Sequence, residues 1–350
     1  LASLEKEGRF FLMDGQLDTK VLISGEFNLN GLLAIVAGKA REIGADRIVI
    51  DAVDMLMRIF EDPKRSQNEI FTLHDWLSSR HMTSILTAKS SKNGILPQSA
   101  YLDFMADCVV YLDQRIQAQV NTKRLQVIKY RGSGYGGNEY PFLVADDGIH
   151  LNPISDVEMA LKRDYQQISS GDPTLDMILG GGYQRSSCTL ISGLTGTGKT
   201  ATASTFVRSA CKDGQKVLYI TYEESAGSMM AGMLSLGIDL RPSTENGTLK
   251  ILSMMPEAMG IEEHLFRAIS TIKRFRPEHI VLDAMSAVKR IAGDMAAFDF
   301  VVRLVDFCKE MGVTVILINQ GSGFHAGYEF TGIGLSSIID TILILDYRDT

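Results

Sequence analysis

The run Gly193-Leu-Thr-Gly-Thr-Gly-Lys-Thr200 carries the most specific chemistry in the chain, with the spacing GxxxxGK[ST]. Glycines so placed let successive backbone N–H groups turn inward around phosphate oxygens at the positive end of a helix. In this reading Thr195, Gly196, Thr197 and Gly198 form the cradle, Lys199 reaches the β- and γ-phosphates, and the Thr200 hydroxyl ligates Mg2+. Asp283 ends the apolar run Ile280-Val-Leu282, a strand with a terminal carboxylate of the kind that holds the magnesium through a water. Glu223 and Glu224 follow directly on the run 217–221. A carboxylate there orients or deprotonates the nucleophile that attacks a γ-phosphate. The same pair equally suits the acidic first turn of a helix, and the residues alone leave both readings open.

The elements that must position these groups show as short β-rich runs alternating with amphipathic stretches, the pattern of a parallel sheet flanked by helices. Strands are expected at 47–50, 84–87, 109–112, 189–192, 217–221, 279–282, 315–319 and 341–345. Several are continuous Val/Ile/Leu runs suited to burial on both faces. The strand at 189–192 precedes the glycine-rich run and a helix at 201–211 follows it, the context a phosphate loop requires. Between 261 and 275, Leu265, Ile269 and Ile272 recur at helical spacing.

Four segments recur in the same order. Residues 45–51 resemble 277–283, 83–87 resemble 314–318, 107–113 resemble 340–346 and 8–12 resemble 247–251, at offsets of 232, 231, 233 and 239 residues. The expectation is two tandem copies of one α/β fold, the first at 1–153, a polar linker at 154–167 and the second at 168–350. The offset places the first copy's phosphate loop before Leu1, and the second copy stops four residues after Asp346. The first copy is therefore expected to be truncated at its N-terminus and the second at its C-terminus.

The 350 residues suffice for about two domains. The net charge of −7 argues against a protein held on DNA by a basic surface. No apolar run approaches the roughly 20 residues of a membrane span, and no basic and apolar leader opens the chain, so a cytoplasmic location is expected. Cys108, Cys188, Cys211 and Cys308 are far apart and read as reduced thiols. Ser336-Ser337, just before the run 341–345, reads on its own as a turn or helix cap. His325, on the Gly-rich run 321–327, is assigned no role, and the Met-rich run 228–233 reads as helix packing.

Together with Ile168-Ser-Ser-Gly171, Gly180-Gly-Gly182, Tyr222-Glu-Glu-Ser225 and the run 279–287, the phosphate loop resembles the KaiC family, the double-domain ATPases of circadian clocks. Lys129-Tyr-Arg-Gly132 and Gly137-Asn-Glu-Tyr-Pro-Phe142 resemble the end of that family's first domain, so the likeness runs along essentially the whole chain. The resemblance implies a RecA-like P-loop NTPase fold in two copies, ATP and Mg2+ as cofactors, and ATP held between subunits of a homohexamer. It implies a metal set of Thr200, Glu224 and Asp283 and catalytic roles for Glu223 and Glu224, with Glu223 as general base. It further implies autophosphorylation at Ser336 and Ser337, with Thr331 as a weaker candidate, and matches Lys129 and Arg131 to basic residues that reach the ATP of an adjacent first domain. Two departures stand out: both phosphosite residues are Ser where the family's best-known pattern is Ser then Thr, and Leu236 stands where an aromatic is frequent.

The leading expectation is an ATP-dependent, autophosphorylating serine/threonine kinase with slow ATPase activity, a hexameric clock or signalling protein with partner proteins of its own. Two further classes are open. One is a RecA- or helicase-like DNA-dependent ATPase, against which stand the acidic charge and the lack of a basic aromatic groove. The other is a nucleotide-gated assembly module without kinase activity.

Overall fold

A computed structural model of the chain describes residues 2–14, 29–57, 59–60, 62–80, 82–89, 99–117, 120–145, 148–151, 166–320 and 338–347. Its contacts form two compact units, residues 1–110 with 127–136, and residues 111–126 with 137–350. Among the described residues no helix is long and apolar enough to cross a membrane. The expected linker, the phosphosite pair Ser336-Ser337, Thr331 and His325 lie outside the described residues, apart from the last two linker positions.

The first unit holds helices α1 (Ala2–Lys6), α2 (Leu29–Glu42), α3 (Val53–Met57), α4 (Pro63–Ser78) and α5 (Ser99–Met105) with strands β1 (Arg47–Ile50) and β2 (Thr83–Leu86). Asp62 caps α4 by accepting from the Lys64 amide, with Pro63 at the first helical position, where its missing N–H has no consequence. Ile70, Leu73 and Leu77, spaced for one helix face, bury against Leu29, Leu33, Val53 and Phe60. β1 and β2 pair in parallel with Arg47 opposite Thr83.

Next along the chain, β3 (Cys108–Gln117), β4 (Val120–Tyr130), β5 (Glu139–Ala145) and β6 (Gly148–Leu151) follow one another in a four-stranded sheet, with β4–β5 and β5–β6 antiparallel. Only 109–112 of this sheet is among the expected strands. The others lack a long unbroken apolar run, and Ile128, Val144, Ile149 and Leu151 in them are exposed.

In the second unit β9 (Cys188–Gly193), β10 (Val217–Thr221), β11 (Leu249–Ser253), β12 (His279–Asp283), β13 (Thr314–Gln320) and β14 (Thr341–Leu345) form one parallel sheet in the order β11-β10-β12-β13-β9-β14. The short strands β7 (Gln167–Ile168) and β8 (Tyr183–Gln184) pair with each other. Helices α6 (Pro173–Ile178), α7 (Lys199–Lys212), α8 (Ala226–Ser235), α9 (Arg241–Glu245), α10 (Ile261–Phe275) and α11 (Met285–Glu310) connect the strands. The α/β class with a parallel sheet is thus the fold expected. Successive residues of each strand point to opposite faces, and both faces are covered over β9, β10, β12 and β13, while β14 leaves Ile342 and Ile344 exposed. Leu190, Leu218, Ile220, Ile280, Leu282, Val315 and Leu317 pack with Leu265 and Ile272 of α10 and Leu304 of α11. On the other face Ile191, Val217, Tyr219, Val281, Ile316 and Ile318 pack with Phe206 and Val207 of α7 and Met229 and Met233 of α8, so the Met-rich run is helix packing.

Local chemistry sets the helix ends. α10 carries Glu262 and Glu263 in its first turn and Lys273 and Arg274 in its last, each complementing the macrodipole, and stops at Arg276 in left-handed conformation before Pro277. α11 is interrupted at Gly293, whose φ of 76° and ψ of 172° are not helical. All four cysteines are free, with Cys108 exposed and the others buried, as the spacing leads one to expect.

Two details of the repeated segments recur in the structure of each unit. In β12–β13 His279 lies opposite Thr314, the same register as Arg47 and Thr83 after the sequence offsets. After α1 the Gly8 amide donates to the Glu5 carbonyl, and after α9 the Gly247 amide donates to the Thr244 carbonyl, both glycines having positive φ.

Phe206 is fully buried and meets Tyr183 and His279 edge-on at 5.3 and 5.2 Å between ring centres. Phe206→Ala is expected to destabilise the protein by about 3–5 kcal/mol, read as a lowered urea midpoint. An unchanged midpoint would mean that this face of the sheet is not the core described.

Candidate functional site

Because β9, β10, β12 and β13 are parallel, their carboxyl ends share one edge of the sheet, and the loops there carry Gly193–Thr200, Glu223 with Glu224, Asp283 and Gln320. The loop leaves β9 where backbone packs closely on backbone. A Cβ on Gly193 would strike the Leu345 carbonyl of β14, so the first position of the motif accepts only glycine without a shift of either strand. Gly196, at φ of 87°, lies beneath the Tyr347 hydroxyl, which stands 2.7 Å from where a Cβ would be. α7 then begins at Lys199 with Gly198 as its N-cap and no side chain capping it. Its first amides are the donors an anion uses at a helix start.

The Lys199 ammonium donates to the Gly193 and Leu194 carbonyls at 2.9 and 2.6 Å. Burial lowers its pKa, and the charges of Asp283 and Glu223 oppose that shift. Thr197 donates from its hydroxyl to the Leu194 carbonyl at 2.8 Å, and Thr195 accepts from the Gln320 amide at 2.7 Å. The Thr200 hydroxyl donates to Asp283 Oδ2 at 3.0 Å, joining the start of α7 to the end of β12. Asp283 is 7% exposed. Burial raises its pKa, hydrogen bonds from Tyr219 and Thr200 oppose the rise, and the negative charges of Glu223 and Glu224 add to it.

The two glutamates are held differently. The Glu224 carboxylate accepts from the Ser228 hydroxyl at 3.0 Å, and its backbone is tied to Thr221 and Ser253, so it belongs to the entry turn of α8, where Ser225 is the N-cap. No hydrogen bond among the described residues holds the exposed Glu223 carboxylate, whose charge bears on both Lys199 and Asp283. Lys129 and Arg131 belong to the first unit. In the first unit Lys129 donates to the Asp103 and Phe104 carbonyls at 2.9 and 2.8 Å, and Arg131 donates to the Phe104 carbonyl and the Asp107 carboxylate, so both cap the C-terminal end of α5.

Three residues at this edge escape motif reading: Tyr219, whose hydroxyl donates to Asp283 Oδ2 at 2.6 Å, Gln320, and Tyr347. A polar residue ending an apolar strand, the signal that marks Asp283, marks Gln320 as well. Among the described residues no three His, Cys, Asp or Glu side chains gather to hold a metal by themselves. One hydroxyl and one carboxylate 3.0 Å apart fit Mg2+, a hard cation that keeps several waters and takes phosphate oxygens as its other ligands.

The family described as ATPase: KaiC matches residues 1–156 and 168–350. The circadian clock oscillator protein KaiC of Acaryochloris marina is 32% identical over 349 residues, 99% of this chain and 67% of that protein. The circadian clock protein KaiC2 of a Synechocystis strain is 34% identical over 325 residues, 92% of this chain and 57% of that protein. The corresponding KaiC of Synechococcus elongatus is 30% identical over 99% of this chain. The chain spans between 57 and 67% of the length of these relatives.

A carboxyl whose pKa is raised by folding weakens the fold as it ionises, and this begins as pH rises past the ordinary value of 3.8. Asp283→Asn removes that burden. Its melting temperature is expected to exceed that of the unaltered protein near pH 8, the difference closing as pH falls to about 4. A variant that melts lower near pH 8 would contradict the assignment of Asp283 as a buried carboxylate held against its desolvation.

Proposed function

The chain belongs to the KaiC family of ATPases, and on that premise we propose that it binds Mg·ATP at residues 193–200 and transfers the γ-phosphoryl group to Ser336 or Ser337 of a neighbouring copy, hydrolysing ATP slowly alongside. The observation that carries the reading is the uncapped start of α7 beside Lys199, with the Thr200 hydroxyl 3.0 Å from the Asp283 carboxylate. An anion, a cation and their counter-charges all have partners there.

In this reading the first amides of α7 and the Lys199 ammonium bind the phosphates, and Thr200 and Asp283 hold the magnesium, which neutralises charge on the β- and γ-oxygens when bound. Glu223 takes the proton of the attacking serine hydroxyl. A new bond forms from the serine oxygen to the γ-phosphorus, the bond to the bridging β–γ oxygen breaks, and ADP leaves. The placement of Glu224 at the α8 entry favours Glu223 over it as the base, and the resemblance-based metal role of Glu224 would require it to leave Ser228.

Transfer between copies is the form of the reaction that the register of β14 favours. β14 runs parallel to β9 with Thr341 opposite Thr189 and Leu345 opposite Gly193, so Asp340 stands at the edge opposite the phosphate loop. Ser336 and Ser337 precede Asp340 by four and three positions in the sequence. In this reading the serine is served by another subunit's ATP, as in a closed homohexamer with ATP between subunits. Two tandem copies of the fold are supported by the matching strand registers and the equivalent Gly8 and Gly247 turns, with domains at 1–153 and 168–350. Lys129 and Arg131 serve as caps of α5 within one chain, and a role toward a neighbour's ATP would take them off those carbonyls. The reading extends to a cytoplasmic clock or signalling protein, a role that the clock names of the relatives support.

The test is to incubate the protein with Mg·ATP, weigh it intact and map the modified residue. A phosphate on Ser336 or Ser337 is expected, and ATP turnover without any phosphate would leave an ATPase whose paired serines are a strand-entry turn. Lys199→Ala is expected to abolish nucleotide binding at this loop, so unchanged ATP affinity would remove the site. Glu223→Gln is expected to keep ATP binding and lose phosphorylation, and normal phosphorylation in that variant would exclude Glu223 as base.

A further inference from the structure

Tyr219 sits in the middle of β10, fully buried, with Val217 before it on the same face. A phenylalanine would fill that apolar layer without a hydroxyl to desolvate, and a buried hydroxyl demands a partner. The partner is Asp283. The Tyr219 hydroxyl donates to Asp283 Oδ2 at 2.6 Å, and the same oxygen accepts from Thr200 at 3.0 Å. Register explains the reach: Thr221 lies opposite Asp283 and Tyr219 opposite Val281, so the tyrosine ring extends two residues along the sheet towards the carboxyl edge. Two donors on one oxygen fix the rotamer of the carboxylate and leave Oδ1 without a protein partner among the described residues.

We propose that Tyr219 is a positioning residue for the magnesium ion, holding the Asp283 carboxylate so that Oδ1 is presented to the cation's water shell. The proposal rests on the Mg·ATP reading above. Thr200 can donate its hydroxyl hydrogen to Oδ2 while offering an oxygen lone pair to the metal, so the two donors and the metal are compatible. Tyr219 itself touches neither cation nor nucleotide. Groups that orient a metal's partners in this way typically change metal affinity by about 10- to 100-fold when removed.

The experiment is a binding titration of the whole chain with a fluorescent ATP analogue, repeated across Mg2+ concentrations and in EDTA. Tyr219→Phe is expected to raise the Mg2+ concentration for half-maximal tightening by roughly tenfold, with affinity in EDTA unchanged. Tyr219→Met, which also lacks the hydroxyl and keeps an apolar side chain, is expected to give the same shift. In an Asp283→Asn background Tyr219→Phe is expected to add nothing, the mark of coupling through that carboxylate. Equal Mg2+ midpoints in the unaltered protein and both variants would overturn the proposal and leave the nucleotide site standing. Loss of affinity in EDTA as well would reduce Tyr219 to a packing residue. Absence of nucleotide binding by the unaltered chain would remove the Mg·ATP reading and the proposal with it.

Discussion

Parallel pairing of β9, β10, β12 and β13 is the constraint on which the second unit depends. Strands that run the same way bring all their carboxyl ends to one edge, so four segments far apart in sequence deliver their loops to one place. Each return to the starting edge requires a crossover, and the helices that make it cover both faces. The same pairing sends β14 back beside β9, putting Tyr347 over the phosphate loop and Asp340 at the far edge. The gathering of these loops at one edge and the placing of Asp340 at the other are two results of a single geometric rule.

Electrostatics at that edge is a balance among groups that burial disfavours. Asp283 is nearly enclosed, Lys199 is partly desolvated and turned onto loop carbonyls, and α7 begins without a side-chain cap. In the proposed reading each would be stabilised by the charge that Mg·ATP carries: phosphate for the ammonium and the helix amides, magnesium for the carboxylate. Hydrogen bonds from Thr200 and Tyr219 keep the carboxylate in place meanwhile.

What could be read from the sequence is what local spacing encodes. The phosphate loop is eight consecutive residues, and β10, β12 and β13 hold continuous apolar runs because both their faces are buried. The proposed repeat has its sequence signal in segments at nearly constant offset, and one pair of them shares a register, Arg47 opposite Thr83 and His279 opposite Thr314. Tyr219 was not legible: an aromatic within an apolar strand reads as core, and its hydroxyl partner lies 64 residues away. Gln320 meets Thr195 across 125 residues, which no local pattern announces. The β4–β6 strands escaped because polar and charged residues break up β4, β6 is a short Gly-Ile-His-Leu run and Pro141 interrupts β5. Lys129 and Arg131 resemble residues that act on a nucleotide, yet within one chain the nearby end of α5 engages both.

The distribution of thiols has a use of its own. Cys188, Cys211 and Cys308 lie in β9, α7 and α11, all within the unit that carries the phosphate loop, and all three are buried. Burial pushes the Cys188 thiol up to about 12, so it is inert towards alkylation while the sheet is closed. Cys108, in the other unit, is exposed. A thiol-reactive dye therefore marks one unit at once and the other only as its strands and helices open, three internal clocks of local unfolding distributed through the core that the site is built on.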